Sequence, residues 1–368
     1  MSEPTLDEAG VGGTGDRQTT ASQGGEGGPG PSRPPLVSIK GLRAYFPYGG
    51  SFDRLFAGER GAVRAVDGVD IDIGRGEVVG LVGESGSGKT TLGRAIAGLM
   101  DVAGGQILYD GRDLTRMSSR RWRRLRRKVQ IIFQDPYSSL SPRLRVEHLL
   151  LEPYTIHKVP SDQRYSVSEL LGMVDLAFEL RRKYPHELSG GQARRVGIAR
   201  ALALRPEFIV ADEITSGLDV SAGSSVLNLM EGLRDQLGLT YLFITHNLNL
   251  VGYVAQRIAV MYLGQLIEVG TTDQVFDSPA HPYTRALLAS ISEPNPSQRR
   301  AESVLISGEI PSPRNPPSGC RFHPRCPFAG ELSSRQQPLL QEIASRHFVA
   351  CHYWDRIPAD SSHPLHEV

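Results

Sequence analysis

Short apolar runs alternate with helix-compatible stretches through the middle of the chain. The runs GEVVGLVG, VQIIF, FIVAD and YLFIT lack polar alternation, which is typical of strands that are buried on both faces. Helix-compatible stretches lie between them, for example TTLGRAIAGLM, RRVGIARALAL and SSVLNLMEGLRDQL. Strands that alternate with helices predict a parallel sheet with right-handed crossovers. We therefore expect an α/β fold built on a mostly parallel sheet.

The flanking segments show other patterns. LVSIKGLRAYF and AVRAVDGVDIDI predict strands of a smaller antiparallel β subdomain, and RIAVMYLGQLIEVG predicts a hairpin. Residues 135–187 lack a central-strand pattern and predict a helical subdomain inserted into the core. Residues 1–34 contain almost no large apolar side chains, so we expect a disordered tail. The main domain is then 35–291, and 292–368 is expected to form a C-terminal extension that holds all three cysteines.

Composition narrows the class of protein. The 368 residues carry a formal net charge of +1, which gives no global argument for binding nucleic acid or an anionic membrane. No apolar run approaches the roughly 18–20 residues of a spanning helix, no secretion signal is evident, and three cysteines do not make a disulfide framework. A soluble cytoplasmic protein is expected.

The basic run RRWRRLRRK (120–128) is compatible with an anion-binding helix, but a solvated helix face is favoured.

One glycine-rich loop has the pattern of a phosphate-binding site. GESGSGKT fits G-x-x-x-x-G-K-[ST], and it lies between a buried strand and a helix. Glycines there let backbone N–H groups approach anionic oxygens, and the helix N-terminus adds its positive dipole end. A lysine can reach the β- and γ-phosphates and a hydroxyl can ligate Mg²⁺. The predicted phosphate-binding residues are Gly83, Ser85, Gly86, Gly88, Lys89, Thr90 and Thr91, with Thr90 also on the metal.

Polar residues follow three of the other buried strands. Asp212 and Glu213 end FIVADE, His246 ends YLFITH, and Gln134 follows VQIIF. Ligands of open α/β sheets bind at the carboxyl ends of the strands. We expect Asp212 to hold Mg²⁺ and Glu213 to act as general base toward an attacking water. His246 is expected near the γ-phosphate, and the Gln134 amide near both the metal ion and the water.

A second glycine loop, LSGGQ, also precedes a helix. Its residues Ser189, Gly190, Gly191 and Gln192 form another helix N-terminus suited to an oxyanion. The helical subdomain separates them from the first loop. A simple explanation is that this loop serves a nucleotide bound to another subunit. Two chains packed head to tail would then enclose two ATP molecules.

These motifs resemble those of the ATP-binding cassette (ABC) family over about residues 36–290. GESGSGKTT resembles Walker A, Gln134 the Q-loop, LSGGQ the signature, FIVADE Walker B, SGLD the D-loop and His246 the switch histidine. The resemblance implies a P-loop ATPase core that uses ATP and Mg²⁺. It also adds Asp219 to the residues on the nucleotide, and it implies that the signature loop contacts the partner's γ-phosphate.

Further stretches resemble the oligopeptide/dipeptide/nickel importer branch, and most closely the second (F-type) of its two ATPase subunits. They include RRKVQIIFQDPYSSLSPR, YPHELSGGQARRVGIARALAL, HPYTRALLASI and the tail SGCRFHPRCPFA. This implies import driven at the cytoplasmic face of the cell membrane. The implied partners are two permease subunits, a paralogous ATPase or a second copy, and indirectly an extracytoplasmic solute-binding protein. The open alternative is a related non-transport cassette, such as a subunit of a phosphonate-cleaving complex.

The chain departs from the family pattern in a few places. Ile214 replaces a usual proline and Gly217 a usual alanine, and we expect activity to survive both. The aromatic that stacks on adenine is expected to be Phe46, with Tyr45 as the alternative.

The cysteines raise a separate question. Tails of the resembling branch often carry four cysteines, which can hold an iron–sulfur cluster, and Ser333 stands where one of them is expected. Cys320, Cys326 and Cys351 therefore leave iron–sulfur or zinc binding open, with His323 or His352 as a possible fourth ligand. Packing of reduced thiols is favoured.

Overall fold

The computed structural model describes residues 34–47, 62–115, 117–290 and 308–357. Nearly all of the tail predicted to be disordered (1–34) lies outside these ranges, as do the predicted boundary at 291/292 and residues 358–368. No described helix is long and apolar enough to cross a membrane.

Within the described ranges, twelve strands form two sheets. The strands are β1 (Val37–Pro47), β2 (Ala62–Ile73), β3 (Val78–Val82), β4 (Gly104–Tyr109), β5 (Arg112–Asp113), β6 (Val129–Ile132), β7 (Phe208–Asp212), β8 (Thr240–Thr245), β9 (Arg257–Tyr262), β10 (Gln265–Thr271), β11 (Gln341–Ala344) and β12 (His347–Val349). The smaller sheet has the order β2-β1-β4-β5 and the larger β11-β12-β10-β9-β3-β8-β7-β6.

The described helices are α1 (Lys89–Ile96), α2 (Ser119–Leu125), α3 (Pro136–Ser139), α4 (Val146–His157), α5 (Val167–Gly172), α6 (Gly190–Leu202), α7 (Val220–Leu237), α8 (Leu248–Val254), α9 (Thr272–Asp277), α10 (Pro282–Ala289) and α11 (Glu331–Arg335). Short 3₁₀ turns cover Ser161–Gln163, Phe178–Arg182, Pro185–Glu187, His323–Arg325 and Trp354–Arg356.

The larger sheet is parallel where the sequence is most continuously apolar. β3, β7 and β8 are buried at every position, and they pair in parallel with one another and with β6 and β9. Strands covered on both faces need apolar side chains on both faces, which explains the absence of alternation. β10, β12 and β11 continue the sheet in antiparallel order.

The smaller sheet is antiparallel, and β2 has the alternating burial of a strand with one face on a core. Its apolar face shares a core with the near side of the larger sheet, including Leu81, Val210 and Ile244. This sheet and the loop after β3 are therefore packed side by side.

The helices between 135 and 187 pack against α6, which begins within LSGGQ. Leu149, Leu150 and Tyr154 of α4 and Leu170 and Leu171 of α5 are fully buried in the same core as α6. The predicted helical subdomain is thus an arrangement of short helices around the helix that carries the second glycine loop.

The C-terminal extension is built onto the larger sheet. β12 pairs with β10, with Glu268 opposite Val349 and Val269 opposite Phe348. Phe322 is buried against the rings of Tyr262 and Tyr283, with centroids 5.4 and 5.5 Å away. An extension this short has little core of its own, so it uses the side chains of the main domain.

Glu268 ties three segments together. Its fully buried carboxylate accepts hydrogen bonds from the backbone N–H groups of Ala280 (2.7 Å) and His281 (2.9 Å) and contacts Nε2 of His347 at 2.8 Å. These contacts fix β10, the N-terminal end of α10 and β12 to one another.

We expect Glu268→Ala to destabilise the protein by about 2–4 kcal/mol, because buried donors that lose their acceptor bear most of their desolvation cost. Chemical denaturation of the full chain measures this free energy of unfolding. Exposed Glu309 in the C-terminal extension provides the control, because Glu309→Ala breaks no buried contact. Equal stability of the two variants would contradict this role of Glu268.

Candidate active site

The loop between β3 and α1 is folded around the lysine side chain. Lys89 is only 5% exposed, and its Nζ donates to the carbonyl oxygens of Gly83 (2.7 Å) and Glu84 (2.8 Å). Burial lowers the pKa of Lys89, while the nearby carboxylates of Glu213, Asp212 and Glu84 act to raise it. The ammonium is therefore held inside the loop by backbone carbonyls.

Gly88 shows why this loop needs glycine. Its φ is +107°, and a Cβ there would lie 2.0 Å from the carbonyl oxygen of Ala65. Both the left-handed backbone and the close approach exclude a side chain. The first turn of α1 can thus begin directly against β2, with its N–H groups directed into the loop.

A cavity of about 700 Å³ opens at this loop. Its lining residues include most of the predicted site: Gly83, Ser85, Gly86, Gly88, Lys89, Thr90, Thr91, Gln134, Glu213 and His246. Ala65, Glu84, Ser216 and Leu287 also line it and were not among the predicted residues. Residues from four strand ends and one helix start therefore meet in one place.

Thr90 and Asp212 lie together beside the lysine. The Thr90 hydroxyl donates to Oδ1 of Asp212 at 3.1 Å. Burial, followed by the charge of Glu213, raises the pKa of Asp212 against the opposing effect of Thr90. A hydroxyl and a carboxylate oxygen are donors that suit Mg²⁺, so these two residues fit the role predicted for them.

Glu213 is the centre of a polar group at the cavity edge. Nε2 of Gln134 donates to its Oε2 at 2.6 Å, and Nδ1 of His246 lies 3.2 Å from its Oε1. The backbone of Glu213 has a φ of +46°, a region that non-glycine residues seldom occupy. The carboxylate is thereby turned toward the Gln134 and His246 side chains.

Arg194 holds the backbone around Glu213 in place and was not predicted from the sequence. This buried guanidinium donates to the carbonyl oxygens of Gln134 (3.3 Å), Glu213 (3.4 Å), Ile214 and Ser216 (3.0 Å). Burial lowers the pKa of Arg194. Arg194 belongs to α6, the helix that begins within LSGGQ. Its side chain therefore links that helix by hydrogen bonds to the backbone of Glu213 and the residues after it.

The second glycine loop is not part of this cavity. Ser189 caps α6 by accepting from the Gln192 N–H at 3.3 Å, and the Gln192 side chain accepts from the Ser189 N–H at 3.1 Å. A Cβ at Gly190 or Gly191 would meet nothing within 4 Å. The loop therefore presents an open helix start to solvent.

Asp219 is the N-cap of α7. Its side chain accepts a hydrogen bond from the Ala222 N–H at 2.9 Å, and it is also outside the cavity lining.

The two aromatic candidates differ in environment. The Tyr45 hydroxyl donates to Oδ1 of Asp67 at 2.5 Å, and burial raises its pKa to about 12. Phe46 is 44% exposed at the end of β1. Neither residue is among those that line the cavity.

The three cysteines are free thiols, and burial raises the pKa of each. Among the residues that the structure describes, no three His, Cys, Asp or Glu side chains are arranged to hold a metal ion. Nδ1 of His323 lies on the carbonyl oxygen of Cys320 (2.9 Å) and Nε2 of His352 on that of Gln336 (2.8 Å). Ser333 lies next to Cys320, whose N–H donates to its carbonyl oxygen at 2.7 Å.

Comparison with family models gives two matches. Residues 66–216 match the ABC transporter model, and residues 267–332 match the oligopeptide/dipeptide transporter C-terminal region. The second match spans β10, α10 and the start of the extension.

Several curated relatives are similar over most of their length. The oligopeptide transport ATP-binding protein AppF of Bacillus subtilis is 44% identical over 324 residues, 87% of this chain and 97% of the relative. The dipeptide transport ATP-binding protein DppF of Haemophilus influenzae is 43% identical over 323 residues, 87% of this chain and 97% of the relative. A putative peptide import ATP-binding protein of Brucella ovis is 45% identical over 319 residues, with 86% and 97% covered.

Solved structures show the same fold. An ATP-binding cassette dimer in a post-hydrolysis state, bound to ADP and Pi, matches with a TM-score of 0.56 and 26% identity, covering 64% of this chain and 99% of that one. CbiO1 of Clostridium perfringens, part of an ABC transporter complex, matches with a TM-score of 0.56 and 28% identity, covering 66% of this chain and 91% of that one.

The predicted α/β P-loop fold and the family resemblance are confirmed. The chain belongs to the ABC transporter family of ATP-binding, ATP-hydrolysing cassettes and carries the C-terminal region typical of its oligopeptide/dipeptide transporter branch.

Proposed function

We propose that this chain binds and hydrolyses ATP to energise an importer of peptides. The observation that carries the proposal is the convergence of Lys89, Thr90 and Asp212 with the Gln134–Glu213–His246 group at one edge of the sheet. The oligopeptide/dipeptide C-terminal region and the peptide-transport relatives support peptides as the substrate class.

The phosphates of ATP lie on the loop between β3 and α1. Backbone N–H groups and Lys89 neutralise their charge, and Lys89 exchanges carbonyl contacts for phosphate oxygens. Thr90, Asp212 and the Gln134 amide would hold Mg²⁺, which when bound would stabilise the charge of the β- and γ-phosphates. The oxygen donors of these side chains support that assignment.

Glu213 accepts the proton of the attacking water as the bond from water oxygen to the γ-phosphorus forms and the bond to ADP breaks. Gln134 and His246 hold the carboxylate and orient the water between them. The backbone contacts of Arg194 keep Glu213 in its unusual conformation. These three residues are therefore positioning groups around one base.

The signature loop completes the site of a second subunit. Ser189, Gly190, Gly191 and Gln192 lie outside their own chain's cavity and present an open helix start, which suits a phosphate delivered by a partner. Asp219 approaches the same interface. The partner is a paralogous ATPase subunit or a second copy of this chain, and a dimeric cassette among the structural neighbours supports this arrangement.

A groove beside the helical subdomain supports docking to the permeases. Leu99, Ile156 and His157 line this groove of about 240 Å³, together with the strand β6 that leads to Gln134. Leu99 and Ile156 are exposed apolar side chains, which mark contact surfaces when they border a cleft. Two permease subunits and an indirect solute-binding protein are the proposed partners, with this chain peripheral at the cytoplasmic face of the membrane.

Glu213→Gln tests the proposed function. The variant should still bind ATP, because the phosphate loop is intact, but turnover should fall by about 10²–10⁴-fold through loss of the base. Steady-state hydrolysis and ATP titration on the assembled transporter, with peptide uptake in cells, measure both effects. Exposed Glu179→Gln is the matched control. Near-normal hydrolysis in Glu213→Gln would remove the residue from this role, and normal peptide uptake by cells lacking the chain would contradict peptide import.

Mixing two inactive chains tests the shared site. Ser189→Arg and Lys89→Ala each damage every site of their own homodimer. A mixed dimer has one site with both lesions and one with neither, so random pairing leaves about a quarter of all sites intact. Hydrolysis by the mixture should therefore partly return if the chain homodimerises, as checked by light scattering. Full activity from a monomeric chain would contradict the two-subunit site.

We propose that the cysteines are reduced thiols whose role is packing within the C-terminal extension. Cys320 and Cys326 contact the apolar core of the main domain. Cys326→Ser should lower the free energy of unfolding by about 1 kcal/mol by placing a hydroxyl in this half-buried position, and it should spare ATP binding. Denaturation and ATP titration measure the two quantities, and Ser334→Ala, on the exposed side of the extension, serves as the control. Stoichiometric iron with visible absorption in anaerobically purified protein would overturn this assignment.

A further inference from the structure

The C-terminal extension carries two buried arginines that contact the main domain, and one of them reaches a residue that lines the nucleotide cavity. Arg321 and Arg325 are 6% and 9% exposed; Arg321 precedes Phe322 in the chain, and Arg325 ends the 3₁₀ turn that follows it. Arginine is seldom buried without a specific partner. Both side chains reach residues of the main domain whose sequence positions are more than 200 residues away.

Arg325 reaches the phosphate loop. Its Nη1 lies 3.1 Å from Oε2 of Glu84 and its Nη2 lies 3.4 Å from Oε1, so the guanidinium forks onto the carboxylate. Nη1 also donates to the Tyr262 hydroxyl at 3.3 Å. The Glu84 N–H donates to the Tyr283 hydroxyl at 2.9 Å. Glu84 is therefore held by its side chain and by its backbone.

Arg321 contacts the main domain outside the cavity lining. It donates to the carbonyl oxygen of Leu263 and to Oδ2 of Asp67. Oδ1 of Asp67 accepts from the Tyr45 hydroxyl. The extension is thus connected to β1 and β2 through one arginine and to the phosphate loop through the other.

The charge of Glu84 makes the contact with Arg325 matter for nucleotide binding. Glu84 lines the cavity, and its carbonyl oxygen is one of the acceptors of Lys89. A carboxylate at the edge of a phosphate site repels an anionic ligand unless a cation neutralises it. Arg325 is the cation in contact with it, and the fork holds the carboxylate in one position.

We propose that Arg325 is a positioning residue for ATP, through which the C-terminal extension sets the nucleotide affinity of its own subunit by neutralising and holding Glu84. This rests on the proposed function, because it assumes that the phosphate loop binds ATP. The extension is then part of the ATP site of this chain rather than an appendage beside it.

The test measures the dissociation constant of ATP by displacement of a fluorescent ATP analogue from the full chain. Arg325→Met should weaken ATP binding by about tenfold, about 1.4 kcal/mol, because Glu84 is left unneutralised. Adding Glu84→Gln to Arg325→Met should restore most of the lost affinity, since no carboxylate remains to repel the phosphates. Arg325→Lys keeps the charge but loses the fork, so its affinity should lie between wild type and Arg325→Met.

Arg335→Met is the matched control, because Arg335 lies in the same extension with an exposed side chain and an exposed partner, Glu331, at 3.9 Å. It should bind ATP as the wild type does. Thermal unfolding identifies any variant that fails to fold, and Arg325→Lys keeps the test available if Arg325→Met does fail.

Unchanged affinity in Arg325→Met, or a double variant as weak as Arg325→Met, would overturn the proposal. Rescue by Glu84→Gln separates the electrostatic role from a packing role, because removing a charge does not refill the space of a lost arginine. A wild-type chain that binds no ATP would instead sink the proposed function.

Discussion

The parallel pairing of β6, β7, β8 and β3 is the constraint on which the site depends. Ile132 pairs with Ala211, Asp212 with Ile244, and Thr245 with Val82. Because these strands are parallel and their last residues are in register, their carboxyl ends lie at the same edge of the sheet. Gln134, Glu213, His246 and the phosphate loop follow those ends. Hydrophobic burial of four short strands thus determines where the polar chemistry lies.

Placing polar groups at this edge has a local cost. Glu213 occupies a backbone region that costs a non-glycine residue about 1–3 kcal/mol. Lys89 and Asp212 are both buried, and each pKa is shifted toward the neutral form. The surrounding structure offsets these costs with specific contacts, chiefly the backbone carbonyls around Lys89 and the guanidinium of Arg194. A site held this firmly is arranged before ATP arrives.

The C-terminal extension is also held in place by side chains that it buries against the main domain. It pairs β12 with β10, packs Phe322 against two tyrosines and contacts the cavity lining through Arg325. These contacts bury surface that the extension, being short, cannot bury in a core of its own. The consequence is that a segment far from the motifs in sequence contacts the lining of the nucleotide site through Arg325.

The amino-acid sequence by itself determined the elements and the chemistry. Continuous apolar runs marked the buried strands, glycine spacing marked the phosphate loop, and the polar residues after each run marked the candidate site, because these signals are local. Tertiary structure decided what local signals do not contain. It brought Arg194 to the carbonyl of Glu213 and Arg325 to Glu84, because the partners of a buried arginine are set by packing between distant segments.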